Sequence, residues 1–177
     1  LDWMVTLDDG ALGRGRVRPH QQIQLSVHAM GDGRRRIIDF FEDQRLVEDR
    51  PSVRIEHATF LNEASRRMNA SAMRFGVTTQ VIFPYAEIEG YRAVLAPKDL
   101  ERVYPVRTVS SALDAPLSSD APATAWADPD DPFVSMALRH AHSLDGTVFN
   151  RSEAVSCEEA VSLYTSRPMK VLPFEGV

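Results

Sequence analysis

The sequence predicts an α/β protein built from parallel β/α units. Strand-like and helix-like apolar patterns alternate four times along its 177 residues, the arrangement that parallel sheets with crossover helices produce. No low-complexity or linker-like stretch interrupts them. The length suits a single domain, and one of roughly 150 residues buries about 70% of its unfolded surface, enough for a real core.

Residues 1–21, irregular and containing Gly and Arg, form an N-terminal segment apart from a domain over 22–177. In QIQLSVHA, 22–29, the pattern is that of a strand, and RRIIDFFEDQRLVED, 35–49, has apolar residues at helical spacing. A second strand follows over 52–60, then a helix over 62–75 ended by Gly76, then a third strand over 77–84 stopped by Pro84. Residues 99–113 are helical in their first and last parts with a break at Pro105, and 115–122 form a short fourth strand. Pro132 lies near the first turn of a helix over 131–144. Ser156 and Glu159 have the spacing of a capping box, opening a last helix that runs through Leu163.

Hydrophobic residues at 44% and charged residues at 25% are ordinary for a soluble globular protein. The formal charge of −5 offers no basic footprint for nucleic acid, and no apolar stretch approaches the length of a membrane span, so neither is an expected partner. With the single Cys157 there is no internal disulfide, and no signal peptide opens the sequence, so the expected compartment is the cytoplasm. The first residue is Leu rather than Met, which points to part of something longer.

Ligands in parallel β/α architectures meet the carboxyl ends of the strands, and three of the four predicted ends carry metal-type side chains. In LSVHAMGDG, His28 closes the first strand; in VRIEHATFL, His57 closes the second; in LSSDAPA, Asp120 closes the fourth. Neutral imidazoles and a carboxylate are what a hydrolytic Zn²⁺ site uses, with one position left open for water. Each residue has a plainer reading: a hydrogen-bonded structural histidine, a turn or capping aspartate, with Ser118 and Ser119 as ordinary turn residues. Three independent strand ends favour the site.

Other candidates carry less. His140 and His142 fall in a helical pattern, where positions i and i+2 diverge, and read as surface residues. Arg34, Arg35 and Arg36 read as a solvated basic turn, and Asp32 as a helix cap. Arg54 and Glu56 share a strand face and read as a structural ion pair. Cys157, with no histidine near it in sequence, reads as a small buried residue rather than a nucleophile.

Taken in order, VHAMGDG, RIEHATFL, SSDAPATAWADPDDPFVSMALRH and SCEEAVSLYTSRPMKVLPFEGV resemble the second half of the metal-dependent amidohydrolases, in the branch containing N-substituted formamide deformylases. The resemblance runs from about Gln22 to the end. It implies a TIM barrel, with this chain supplying strands five to eight, of which the fifth, sixth and eighth end in His, His and Asp. By resemblance His28, His57 and Asp120 are metal ligands, Asp120 is also the catalytic proton shuttle, and the cofactor is a divalent metal, Zn. The implied activity is hydrolysis of a C–N bond in a small-molecule amide or N-substituted formamide. The H-x-H pair of the family's first strand and the carboxylate or modified lysine of its fourth have no counterpart before His28. A full barrel takes about 250 residues, so four units are half of one. The chain is therefore expected to be part of a longer chain or a half-barrel that forms a homo-oligomer, with barrel-facing side chains such as Val53 and Ile55 lacking their opposite wall. One rival is a non-catalytic half-barrel remnant serving as an interaction or assembly module. A second is a doubly wound binding domain, though no G-x-G-x-x-G loop is present.

Overall fold

The computed structural model describes residues 4–5, 25–28, 53–60, 75–122, 130–138 and 150–171. Among these, strands β1 (Met4–Val5), β2 (Leu25–His28), β3 (Val53–Glu56) and β4 (Phe75–Val77) form one parallel sheet in chain order. Parallel neighbours need a crossover of a dozen or more residues, and the spacing of β2, β3 and β4 along the chain provides it. The expected helix over 35–49, that over 62–75 as far as residue 74, the residues Asp32 and Arg34 to Arg36, and the pair His140 and His142 lie outside the described residues, while Phe75, expected to end the second helix, instead opens β4.

The register divides the sheet into two unlike faces. Val27, Ile55 and Val77 are aligned on one face, together with Val53, and all four are buried. Ser26, Arg54 and Gly76 are aligned on the other, beside the pair His28 and Glu56. Here the cover is incomplete: Ser26 and Arg54 are half-buried and His28 is exposed. Val53 and Ile55 therefore belong to the fully covered face, which corrects their placement on an open barrel wall. The apolar row is covered because β-branched side chains gain about 1.5–3 kcal/mol each from leaving water, whereas the polar row satisfies itself internally. Ser26 and Arg54 both donate to Glu56 Oε1, each at 2.6 Å, and Thr78 donates to Oε2. Arg54 and Glu56 are the expected ion pair.

Helices follow the sheet: α1 (Ile82–Val94), α2 (Pro97–Leu100), α3 (Val106–Leu113), α4 (Pro132–Ala137) and α5 (Cys157–Tyr164). The third strand is displaced from its expected span of 77–84. It occupies Phe75–Val77, and Ile82 already opens α1. Pro84 does not stop a strand; it is buried in the first turn of α1, where a missing N–H costs no helical hydrogen bond. Pro105 separates α2 from α3 as the N-cap of the latter, and Pro132 opens α4, both as the sequence predicts. The fourth strand is reduced to a parallel bridge between Thr79 and Leu117. The Thr79 N–H donates to the Pro116 carbonyl and the Ser118 N–H to the Thr79 carbonyl, but Pro116 has no N–H with which to extend the ladder further.

At α5 the capping box forms: Ser156 Oγ accepts from the Glu159 N–H at 3.1 Å, and Glu159 Oε2 accepts from the Ser156 N–H at 2.8 Å. Ala160 and Leu163 bury the inner face of this helix against Val81, Ile82 and Leu117. Ser156→Ala is expected to lower stability by about 1 kcal/mol, measured by urea unfolding. Cys157, at the first position of α5, is exposed rather than buried, because the helix start projects it away from that inner face. Among the described residues no helix is long and apolar enough to cross a membrane.

Candidate active site

His28 is the last residue of β2, and register pairs it with Glu56 on the polar face. Strand alternation would send the next residue, His57, to the opposite face. The backbone prevents this. His57 has φ 72°, and the Ala58 N–H donates to the Glu56 carbonyl at 3.0 Å, closing a three-residue turn of the positive-φ γ type. Ala58 follows at φ 43° and is fully buried. Such a conformation costs on the order of 1–3 kcal/mol for a residue with a side chain and persists where the surroundings enforce it. Here the loop is held from outside: Phe60 bridges Val103, and the Tyr104 N–H donates to the Thr59 carbonyl at 2.7 Å.

The consequence is that two imidazoles from adjacent strands face each other. His28 Nδ1 lies 2.7 Å from His57 Nε2, with ring centroids 4.8 Å apart. His57 is buried and His28 exposed, so the pair spans the boundary between the sheet end and solvent. Two groups fix the His57 ring. Its Nδ1 is 3.2 Å from Gln80 Oε1, and it stands perpendicular to Phe83 with ring centroids 5.5 Å apart; Phe83 in turn stacks on the buried Tyr104 at 6.0 Å. Burial drives the His57 proton affinity down, and the nearby His28 adds to this. The Asp120 carboxylate, the Gln80 hydrogen bond and the Glu56 charge oppose it without reversing it, so the ring is neutral at neutral pH.

Asp120 lies three residues beyond the bridge at Leu117, half-buried, with φ 56°. The Leu117 bridge brings its loop beside that of Thr79 and Gln80, and its charge acts on His57. All three residues predicted from strand ends thus lie at one end of the sheet. Among the described residues, however, no three His, Cys, Asp or Glu side chains gather closely enough to hold a metal ion.

A model of the amidohydrolase family matches residues 17–177. The chain belongs to the amidohydrolase family. Membership indicates a hydrolase, and the parallel α/β architecture is compatible with a partial barrel of that family. No curated protein and no solved structure matches the chain.

The two histidines suit a divalent cation of the kind amidohydrolases generally use. His28 Nδ1 and His57 Nε2, facing each other at 2.7 Å, are the atoms that would hold it. In this pair one of the two facing nitrogens carries the proton of the 2.7 Å contact, and a bound cation would take that proton's place between them. Two neighbours were not foreseen from the sequence: Gln80 and Phe83 stand in VTTQVIFP, whose apolar character hid them. Ser118, read from the sequence as an ordinary turn residue, carries the other end of the Gln80 amide, 2.7 Å from Gln80 Nε2.

Proposed function

We propose that this chain supplies the second half of a metal-dependent hydrolytic centre that cleaves C–N bonds of small amides, with N-substituted formamides as the substrate class. The carrying observation is the inward-facing pair His28 Nδ1 and His57 Nε2, formed at two adjacent parallel strand ends by a strained turn that alternation alone would not produce. In this reading β2, β3, β4 and the Leu117 bridge are barrel strands five to eight.

His28 and His57 would hold the cation, with Asp120, from the loop after the Leu117 bridge, as the third ligand. When bound, a divalent cation, zinc by the chemistry of these donors, lowers the pKa of water toward 7 and polarises the substrate carbonyl. Asp120 accepts a proton from the attacking water and returns it to the leaving nitrogen. His57, kept neutral by burial, offers a lone pair rather than a repelling charge. The half-covered polar face of the sheet is where the rest of a barrel, from a longer chain or a second copy, completes the site.

Titrating the chain with ZnCl₂ while following the imidazole resonances of His28 and His57 tests the ligand assignment. The expected result is weak, saturable binding that shifts both rings and is lost on dialysis, because three donors at most leave open coordination to water. His28→Ala should remove it. Zinc that shifts neither ring would sink the proposal and leave the non-catalytic module as the better account.

A further inference from the structure

We propose that Gln80 is a positioning residue that dictates which nitrogen of His57 carries the proton, an inference that deepens the hydrolytic reading above. Gln80 is 1% exposed, and both ends of its amide are engaged. Its Nε2 donates to Ser118 Oγ at 2.7 Å, and its Oε1 faces His57 Nδ1 at 3.2 Å. With the amide so turned, the oxygen can only accept, so His57 carries its proton on Nδ1 and presents a bare lone pair at Nε2. That is the atom facing His28 Nδ1, which then donates across the 2.7 Å gap.

The opposite tautomer would be a poor ligand. It would place an N–H at Nε2, directed at His28, and leave Nδ1 facing Gln80. A neutral imidazole has no preference strong enough to exclude this by itself, so the choice falls to the partner of Nδ1. Phe83 sets the plane of the ring by its edge contact and makes no statement about the proton; Gln80 is the group that reads it. The glutamine is itself anchored at the loop that leads to Asp120. The Thr79 N–H donates to the Pro116 carbonyl, and the Ser118 N–H returns a bond to the Thr79 carbonyl at 2.9 Å. One buried amide therefore ties the His57 turn to the Ser118 segment, two residues before Asp120.

The test compares the chain with Gln80→Met, Gln80→Glu and Ser118→Ala, reading the His57 tautomer from imidazole ¹⁵N–¹³C correlations at neutral pH without metal, with circular dichroism to confirm folding. In the wild type the proton sits predominantly on Nδ1. Gln80→Met, similar in volume but unable to accept, should give a mixture of tautomers, whereas Gln80→Glu, which can still accept, should restore Nδ1–H. Ser118→Ala leaves Gln80 in place but releases its amide to flip, so it should shift the same ratio even if Gln80→Met fails to fold. Zn²⁺ affinity should fall about 10- to 100-fold in Gln80→Met. A wild-type proton on Nε2, or a ratio unmoved by both Gln80→Met and Ser118→Ala, overturns the assignment to Gln80. Because the tautomer is read in metal-free protein, that result stands apart from the zinc titration, whose failure would overturn the metal site instead.

Discussion

Asp120→Asn, placed in an intact amidohydrolase barrel carrying these strands, is expected to lower kcat by about 10²- to 10⁴-fold with little change in KM, the range a positioned proton-transfer group contributes. The size follows from what asparagine keeps and what it loses. It keeps volume and a carbonyl oxygen, so substrate binding is largely retained. It loses the capacity to take a proton from water and hand it to the leaving nitrogen. It also keeps the backbone. Asp120 sits at φ 56°, in the left-handed region that Asn tolerates as well as Asp, so the variant should fold with wild-type stability. Asp120→Ala would confound the result by adding strain at that φ. The substitution also removes the charge that raises the His57 proton affinity, leaving that ring more firmly neutral. Steady-state kinetics with an N-substituted formamide, together with a thermal melt, checks both halves. Near-normal turnover in a folded variant would refute the proton-transfer role.

What the sequence made legible was the chemistry at strand ends, and what it concealed was how the backbone aims it. His28 and His57 could be picked out because each follows a short β-branched run. Their meeting could not, since period-2 alternation puts His57 on the wrong face and only the turn with φ 72° at that residue brings the rings together. A histidine has no strong signature for positive φ. The helix Ile82–Val94 was hidden by its own first turn: Val81, Ile82 and Phe83 continue a β-like run, and Pro84 looks like a stop when it is a tolerated early helical residue. The fourth strand shrank for a reason visible in hindsight, because Pro116 has no N–H with which to extend the ladder beyond the bridge at Leu117. By contrast, the capping box at Ser156 and the proline positions at 105 and 132 depend only on local chemistry, and local chemistry carried them through. Gln80 belongs to the concealed class. An amide within an apolar run has no role until its two partners, twenty-three and thirty-eight residues away, are placed beside it.

Glu56→Ala is expected to be the most destabilising single change on the polar face of the sheet. Its carboxylate accepts from Ser26, Arg54 and Thr78 at once, and it is 8% exposed. Removing one partner of a fully buried ion pair costs roughly 3–5 kcal/mol, and because the Arg54 side chain keeps 23% of its surface in water the expected loss here is about 2–4 kcal/mol. The pH dependence separates this from a simple cavity. Burial alone would push the Glu56 carboxyl up, but the hydrogen bonds from Ser26 and Thr78 and the charge and hydrogen bond of Arg54 outweigh it, so the net displacement is below the ordinary value of 4.5. A carboxyl with a depressed folded-state pKa contributes stability that is fully present above its unfolded value and lost as the pH falls through the folded one. Wild type and Glu56→Ala should therefore differ most in urea unfolding near pH 7, and the gap should narrow as the pH falls below about 4.5. A cavity left by four missing side-chain atoms would show no such narrowing, since transfer and packing losses do not titrate. The narrowing also bears on the site above it. Glu56 supplies the carbonyl that closes the His57 turn, so a polar row that loosens in acid would loosen the turn that aims His57 at His28.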